Sequence, residues 1–114
     1  MLSKLDLTEL PPRFGEYMGK AINVILTGHF YSVSINPTSV GANTTSEQTF
    51  TVVGLKTTDV VVVNKPSHQT GLGIVGARVS AANTLAITFM NTTGAGIDPS
   101  SETYTILAIR EEKE

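Results

Sequence analysis

The sequence predicts an all-β protein, a small antiparallel β-sandwich or barrel of jelly-roll-like or immunoglobulin-like kind, with an extended N-terminal arm. Three observations predict it. Several short runs alternate apolar and polar residues with a period of two and are rich in β-branched residues, the signature of half-buried strands. Clusters of Gly, Pro, Asn, Ser and Thr separate these runs, with turn signals about every 8–12 residues. No segment after residue 30 carries an apolar face of helical period.

The 114 residues suffice for one domain with one modest core. Composition divides the chain into an arm over 1–30, a β domain over 31–110, and a charged tail over 111–114. The arm mixes charges with isolated large apolar residues. Pro11 and Pro12 stiffen it and block a continuous helix across that point. Residues 16–27 fit a short amphipathic helix or a strand equally well.

The strands come in order. In "YSVSI", Tyr31, Val33 and Ile35 alternate with Ser32 and Ser34. In "QTFTVV", Phe50 and Val52 oppose Thr49 and Thr51. The run "DVVVV" at 59–63 is apolar at four successive positions, which suits a strand covered on both faces. "TLAITFM" sets Leu85, Ile87 and Phe89 against Thr84, Ala86 and Thr88, and "TYTILAI" sets Tyr104, Ile106 and Ala108 against Thr103, Thr105 and Leu107. Phe50, Val61, Ile87 and Ile106 are the expected core. The turns fall at 36–46, 54–58, 64–71, 81–83 and 91–102.

Composition narrows the function. The formal net charge is −2, with eight Lys and Arg scattered among ten Asp and Glu. The basic patch that phosphate backbones require is missing, so no nucleic-acid partner is expected. Cysteine is absent, which removes thiolate catalysis and cysteine-based zinc sites. No apolar run reaches the length of a membrane span, and residues 1–14 lack the pattern of a signal peptide; a soluble protein with no membrane partner is expected.

Gly71, Gly73 and Gly76 match G-x-G-x-x-G, the spacing of a dinucleotide cradle. That cradle needs a strand directly before the glycines and a helix directly after. Here a loop with Pro66 precedes them, and alternating, strand-like sequence comes after. Asp98, placed where a ribose-binding acid would fall, sits in a turn. The expectation is no cofactor: Gly71 and Gly73 belong to a loop, and Gly76 lets a strand bend.

Other candidate sites read as structural. His29 and His68 fall in different loops, with no nucleophile elbow near either; one of them lining an oligomer axis and holding an ion is the functional alternative. Glu47, Asp59, Asp98 and Glu102 could supply a glycosidase pair, but no tryptophan is present to stack a sugar, and structural or solvating roles are expected. Asn43-Thr44-Thr45 and Asn91-Thr92-Thr93 match the glycosylation sequon without a secretion signal to support it. Arg78 and Arg110 read as exposed edge or interface charges, with a specific but unassigned carboxylate partner as the alternative. No catalytic residue, metal ligand or small-molecule substrate is expected. The arm stands out instead: Leu2, Leu5, Leu7, Leu10, Phe14, Tyr17, Met18 and Ile22 hold apolar area for a partner or oligomer interface, or for an extra layer on their own β domain.

Residues 45–110 carry a recognisable cadence. A strand ends in Val-Val-Gly-Leu, and an Asp-Val-Val-Val strand is followed by a proline. Then come Ala-Arg-Val-Ser-Ala, an Asn-Thr-Leu-Ala-Ile-Thr-Phe-Met-Asn strand and a Tyr-Thr-Ile-Leu-Ala-Ile-Arg strand. In this the chain resembles small virion proteins of tailed bacteriophages. The resemblance implies a non-enzymatic structural protein on the virion, at the capsid surface: a decoration (cement) protein, trimeric, bound across the major capsid protein lattice. A tail, fibre or head-fibre component is the alternative within that group. A cell-surface or carbohydrate-binding β module is the alternative outside it.

Overall fold

The alternating runs become six strands: β1 (Val24–Ile35), β2 (Thr44–Thr51), β3 (Val60–Asn64), β4 (Leu72–Ala81), β5 (Thr84–Asn91) and β6 (Glu102–Lys113). The computed structural model describes residues 24–113. The strands form two antiparallel sheets, ordered β1–β6–β3 and β2–β5–β4, packed face to face. The first strand pairs with the last, the second with the fifth, and β3 lies beside β4 where the two sheets meet. This nested winding is that of a jelly roll; an immunoglobulin-like sandwich would place β1 beside β2 instead.

The core follows from the alternation. Tyr104, Ile106 and Ala108 of β6 and Leu85, Ile87 and Phe89 of β5, the two central strands, point inward and are fully buried. Of the residues expected in the core, Ile87 and Ile106 are at its centre, while Phe50 and Val61 point inward from edge strands and are half-buried against it.

Several expectations are corrected. β1 begins at Val24, so residues 24–30, assigned to the arm, belong to the sandwich, and His29 lies in a strand rather than a loop. Residues 111–113 extend β6 and are not a separate tail. The valine run is not covered on both faces. Val61 and Val63 face the core, but Val60 and Val62 on the other face are 64% and 55% exposed. Among the described residues no third layer covers that side of β3.

Loops close each end. At one end, Val40 and Ile97 exchange backbone hydrogen bonds of 2.8 and 3.0 Å, tying the β1–β2 loop to the β5–β6 loop. Asn91 holds them from below. Its amide donates to the carbonyls of Val40 (3.1 Å) and Ala95 (2.7 Å), and its Oδ1 accepts from the Thr93 amide and hydroxyl, both at 2.8 Å. A buried amide so fully satisfied pins loop geometry at little cost. At the other end, Asn83 turns the β4–β5 hairpin with φ +62°. It binds the 52–55 loop three ways: its amide donates to Leu55 O, its carbonyl accepts from Val52, and its Oδ1 accepts from Gly54.

The glycine spacing resolves accordingly. Gly71 is a turn residue at φ +84°, and an added Cβ there would collide with the Thr93 methyl. Gly73 lies within β4 rather than in the loop, and Gly76 stands at a register shift in that strand. Beyond Gly76 the chain continues as strand, with no helix N-terminus to meet a pyrophosphate.

Candidate interaction surface

Among the described residues, charged side chains pair off at three separate places. Asp59, at the start of β3, is nearly buried, and Arg110 of β6 reaches it with two hydrogen bonds, Nε to Oδ1 at 2.7 Å and Nη2 to Oδ2 at 2.8 Å. The Lys56 amide donates to the same carboxylate at 3.0 Å, and Arg110 also donates to Gly54 O at 3.0 Å. Chiefly through the Arg110 bonds, and against the opposing effect of burial, the Asp59 carboxyl is held down to about 2. Arg110 therefore has the specific carboxylate partner that stood as the alternative, and it braces the fold rather than standing as an exposed charge. The lock fastens the 54–59 loop to β6.

On the outer face of β2–β5–β4, Arg78 spans β5 to meet Glu47 with two hydrogen bonds of 2.9 Å. Register places Ala86 and Thr88 beneath the pair, and Ala86 is only 1% exposed despite facing outward. Arg78 is exposed, as expected, and its hydrogen bonds lower the Glu47 pKa. At the opposite end of the sandwich Lys65 meets Glu102 at 2.9 Å, and Ser67 donates to the same oxygen at 2.8 Å; both lower the Glu102 pKa. Three of the four acids singled out from sequence thus sit in three different places, each with its own cation. The fourth, Asp98, contributes its backbone carbonyl to Gln69 at 3.2 Å.

Lys65, Ser67, His68 and Gln69 also line an open cleft of about 400 Å³ between β3 and β4. His68 is exposed there. His29, inward-facing in β1, stands opposite Ala108, and its buried Nε2 has no hydrogen-bond partner among the described residues. The two histidines are on different elements. No group of three His, Cys, Asp or Glu that could hold a metal occurs among the described residues.

Sequence reasoning missed one surface. On the outer face of β1–β6–β3, two successive cross-strand rows are apolar: Phe30–Leu107–Val62, then Gly28–Ile109–Val60. Phe30 is 75% exposed and Val60 and Val62 more than half exposed, with Leu107 and Ile109 half-buried between them. The next rows, Ser32–Thr105–Asn64 and Ser34–Thr103, are uncharged and polar. The face is divided along its length, apolar toward the N-terminal end of β1 and hydroxyl-bearing toward the other. Its apolar part is the largest run of exposed apolar side chains on this sheet among the described residues. Two signals in the sequence pointed to it. Val60 and Val62 are apolar on a face that was assumed covered, and Leu107 is apolar on the side of β6 otherwise given to threonine.

The arm residues Leu2, Leu5, Leu7, Leu10, Phe14, Tyr17, Met18 and Ile22 lie outside the described residues. Comparison with protein-family models, curated proteins and solved structures returned no match.

Proposed function

We propose that this chain is a non-enzymatic structural protein of a phage virion, a capsid decoration protein that binds across neighbouring major capsid subunits and stabilises the head. The observation that carries the reading is the uncharged, half-apolar sheet face of the sandwich, a surface suited to packing by shape within an assembly rather than to charge steering. The cadence of residues 45–110 supports it independently. The mechanism is mass action: a protein that binds only the assembled lattice raises the stability of that lattice. In this reading residues 1–23, with their apolar side chains, reach across the subunit boundary.

The test is the copy number of the chain in purified particles from its source, measured by quantitative mass spectrometry. Hundreds of copies per particle are expected of a lattice-wide decoration protein. A few copies would move it to the tail, a fibre or a vertex. Its absence from particles would overturn the virion role and favour a stand-alone binding module.

A further inference from the structure

We infer that the outer face of β1–β6–β3 is a homotypic interface, against which a second copy of this chain packs the same face. The contact does not depend on the virion role, and its test uses the isolated protein.

The patch is more than the fold needs. Sheet packing fills the inner rows, and an outer row facing water would continue the pattern of Ser32, Ser34, Thr103 and Thr105. Instead two whole rows change to apolar residues, on all three strands at once where a side chain is present. The most exposed large side chain in them, Phe30, stands two residues from Gly28, where there is none.

The identity of the occupant follows from charge and shape. In a two-fold contact each residue meets its own surface, so a charge near the axis meets a like charge and is costly. The outward-facing rows from Gly28 to Ser34 carry no charged side chain, and Glu111 stands beyond them at the rim. A two-fold axis can lay the two apolar rows on one another. Consider an axis lying between the two faces, running across the strands midway between the apolar rows. It sets Phe30 of one copy on Gly28 of the other, Leu107 on Ile109, and Val62 on Val60. Gly28 is a low, exposed point of the face, where a Cβ would make only an ordinary contact of 3.5 Å with Leu107 Cδ1.

Area sets the strength. Three strands about 4.8 Å apart, over seven residues, make a face roughly 15 by 20 Å in plan. That buries on the order of 400 Å² per copy, about half the share of one partner in a standard stable interface. The expected association is therefore reversible and concentration-dependent. It has room to grow at one side, because among the described residues β1 has no strand along its other edge.

The chain contains no cysteine, so a single introduced thiol reports the contact cleanly. Full-length protein is followed by sedimentation velocity over a wide concentration range, with the variants Val62→Lys, Val62→Cys and Thr49→Cys. Wild-type protein is expected to associate as concentration rises, and Val62→Lys to remain monomeric with an unchanged circular dichroism spectrum. A short bismaleimide should link Val62→Cys into a covalent dimer at least tenfold faster than Thr49→Cys, whose thiol lies on the outer face of the other sheet. Val62→Cys is the milder change and serves if the lysine variant fails to fold. Three results would each overturn the inference: wild-type protein monomeric throughout, Val62→Lys associating like wild type, or equal linking of the two thiols. A face covered by residues 1–23 of the same chain, or reserved for a different protein, would give the first and the third.

Discussion

Asp59 and Tyr104 show how individual polar groups are treated inside a small core. The Asp59 carboxyl is held down to about 2 from an ordinary 3.8, mainly by its two bonds from Arg110. A carboxyl depressed on folding stabilises the protein above its unfolded pKa, and that contribution fades as pH falls toward the folded value. The lock should therefore act fully above pH 4 and weaken between about pH 4 and 2. After screening at the wet end of the sandwich, it is worth about 1–2 kcal/mol. Chemical denaturation across that range should show the slope in wild type and a flatter one in Asp59→Asn. Equal slopes would mean the pair is open in solution. Tyr104 presents the opposite case. It is fully buried, its hydroxyl has no partner among the described residues, and burial, aided by the Glu102 charge, pushes its pKa up to about 12. Deleting an unpartnered buried hydroxyl removes a desolvation penalty. Tyr104→Phe should thus be neutral or stabilising by up to about 1 kcal/mol in the same assay; a comparable loss would reveal a bond formed in solution.

Among the elements, the central strands carry the stability and the edges carry the specificity of the winding. Ile87 of β5 is fully enclosed by strands on both sides and the facing sheet, whereas Val61 of β3 is half-buried at an edge. Ile87→Ala should cost about 3–5 kcal/mol and Val61→Ala about 1 kcal/mol, since the edge cavity can fill with water or collapse. Urea midpoints that rank the two the other way would contradict the sheet order. The turn before β4 is equally particular. Gly71 combines φ +84° with an approach to the Thr93 methyl that leaves no room for Cβ. Gly71→Ala should cost about 1–3 kcal/mol by thermal melting, while Gly73→Ala, with open space around its Cβ position, should cost less.

For the whole molecule, the decisive boundary is Val24. The core cluster is drawn from residues 31 to 108, on both sheets. Removing residues 1–23 should therefore leave a cooperative melt, and in the proposed function it should abolish capsid association. Unchanged capsid binding by that truncation would move the contact onto the sandwich itself. A cut placed later, at the boundary the composition suggests, would remove residues of β1 that pair with Leu107–Lys113, and loss of binding would then be inseparable from damage to the sheet.

The sequence by itself determined the β class, the inward residue of each alternating pair and most of the buried core, because side-chain direction in a strand is a local consequence of its two-residue repeat. Tyr31, Val33 and Ile35, or Leu85, Ile87 and Phe89, needed nothing else. Only the tertiary structure decided the jelly-roll winding, the Asp59–Arg110 lock and the exposure of Val60, Val62 and Phe30. Asp59 and Arg110 are 51 positions apart, and their meeting depends on β3 pairing with β6, which no local pattern encodes. The valine run shows the same limit from the other side. Alternation distinguishes the two faces of a strand, but whether anything covers the second face is a property of the assembled layers. Here two sheets enclose one core, and among the described residues nothing covers the face of β1–β6–β3 turned away from it.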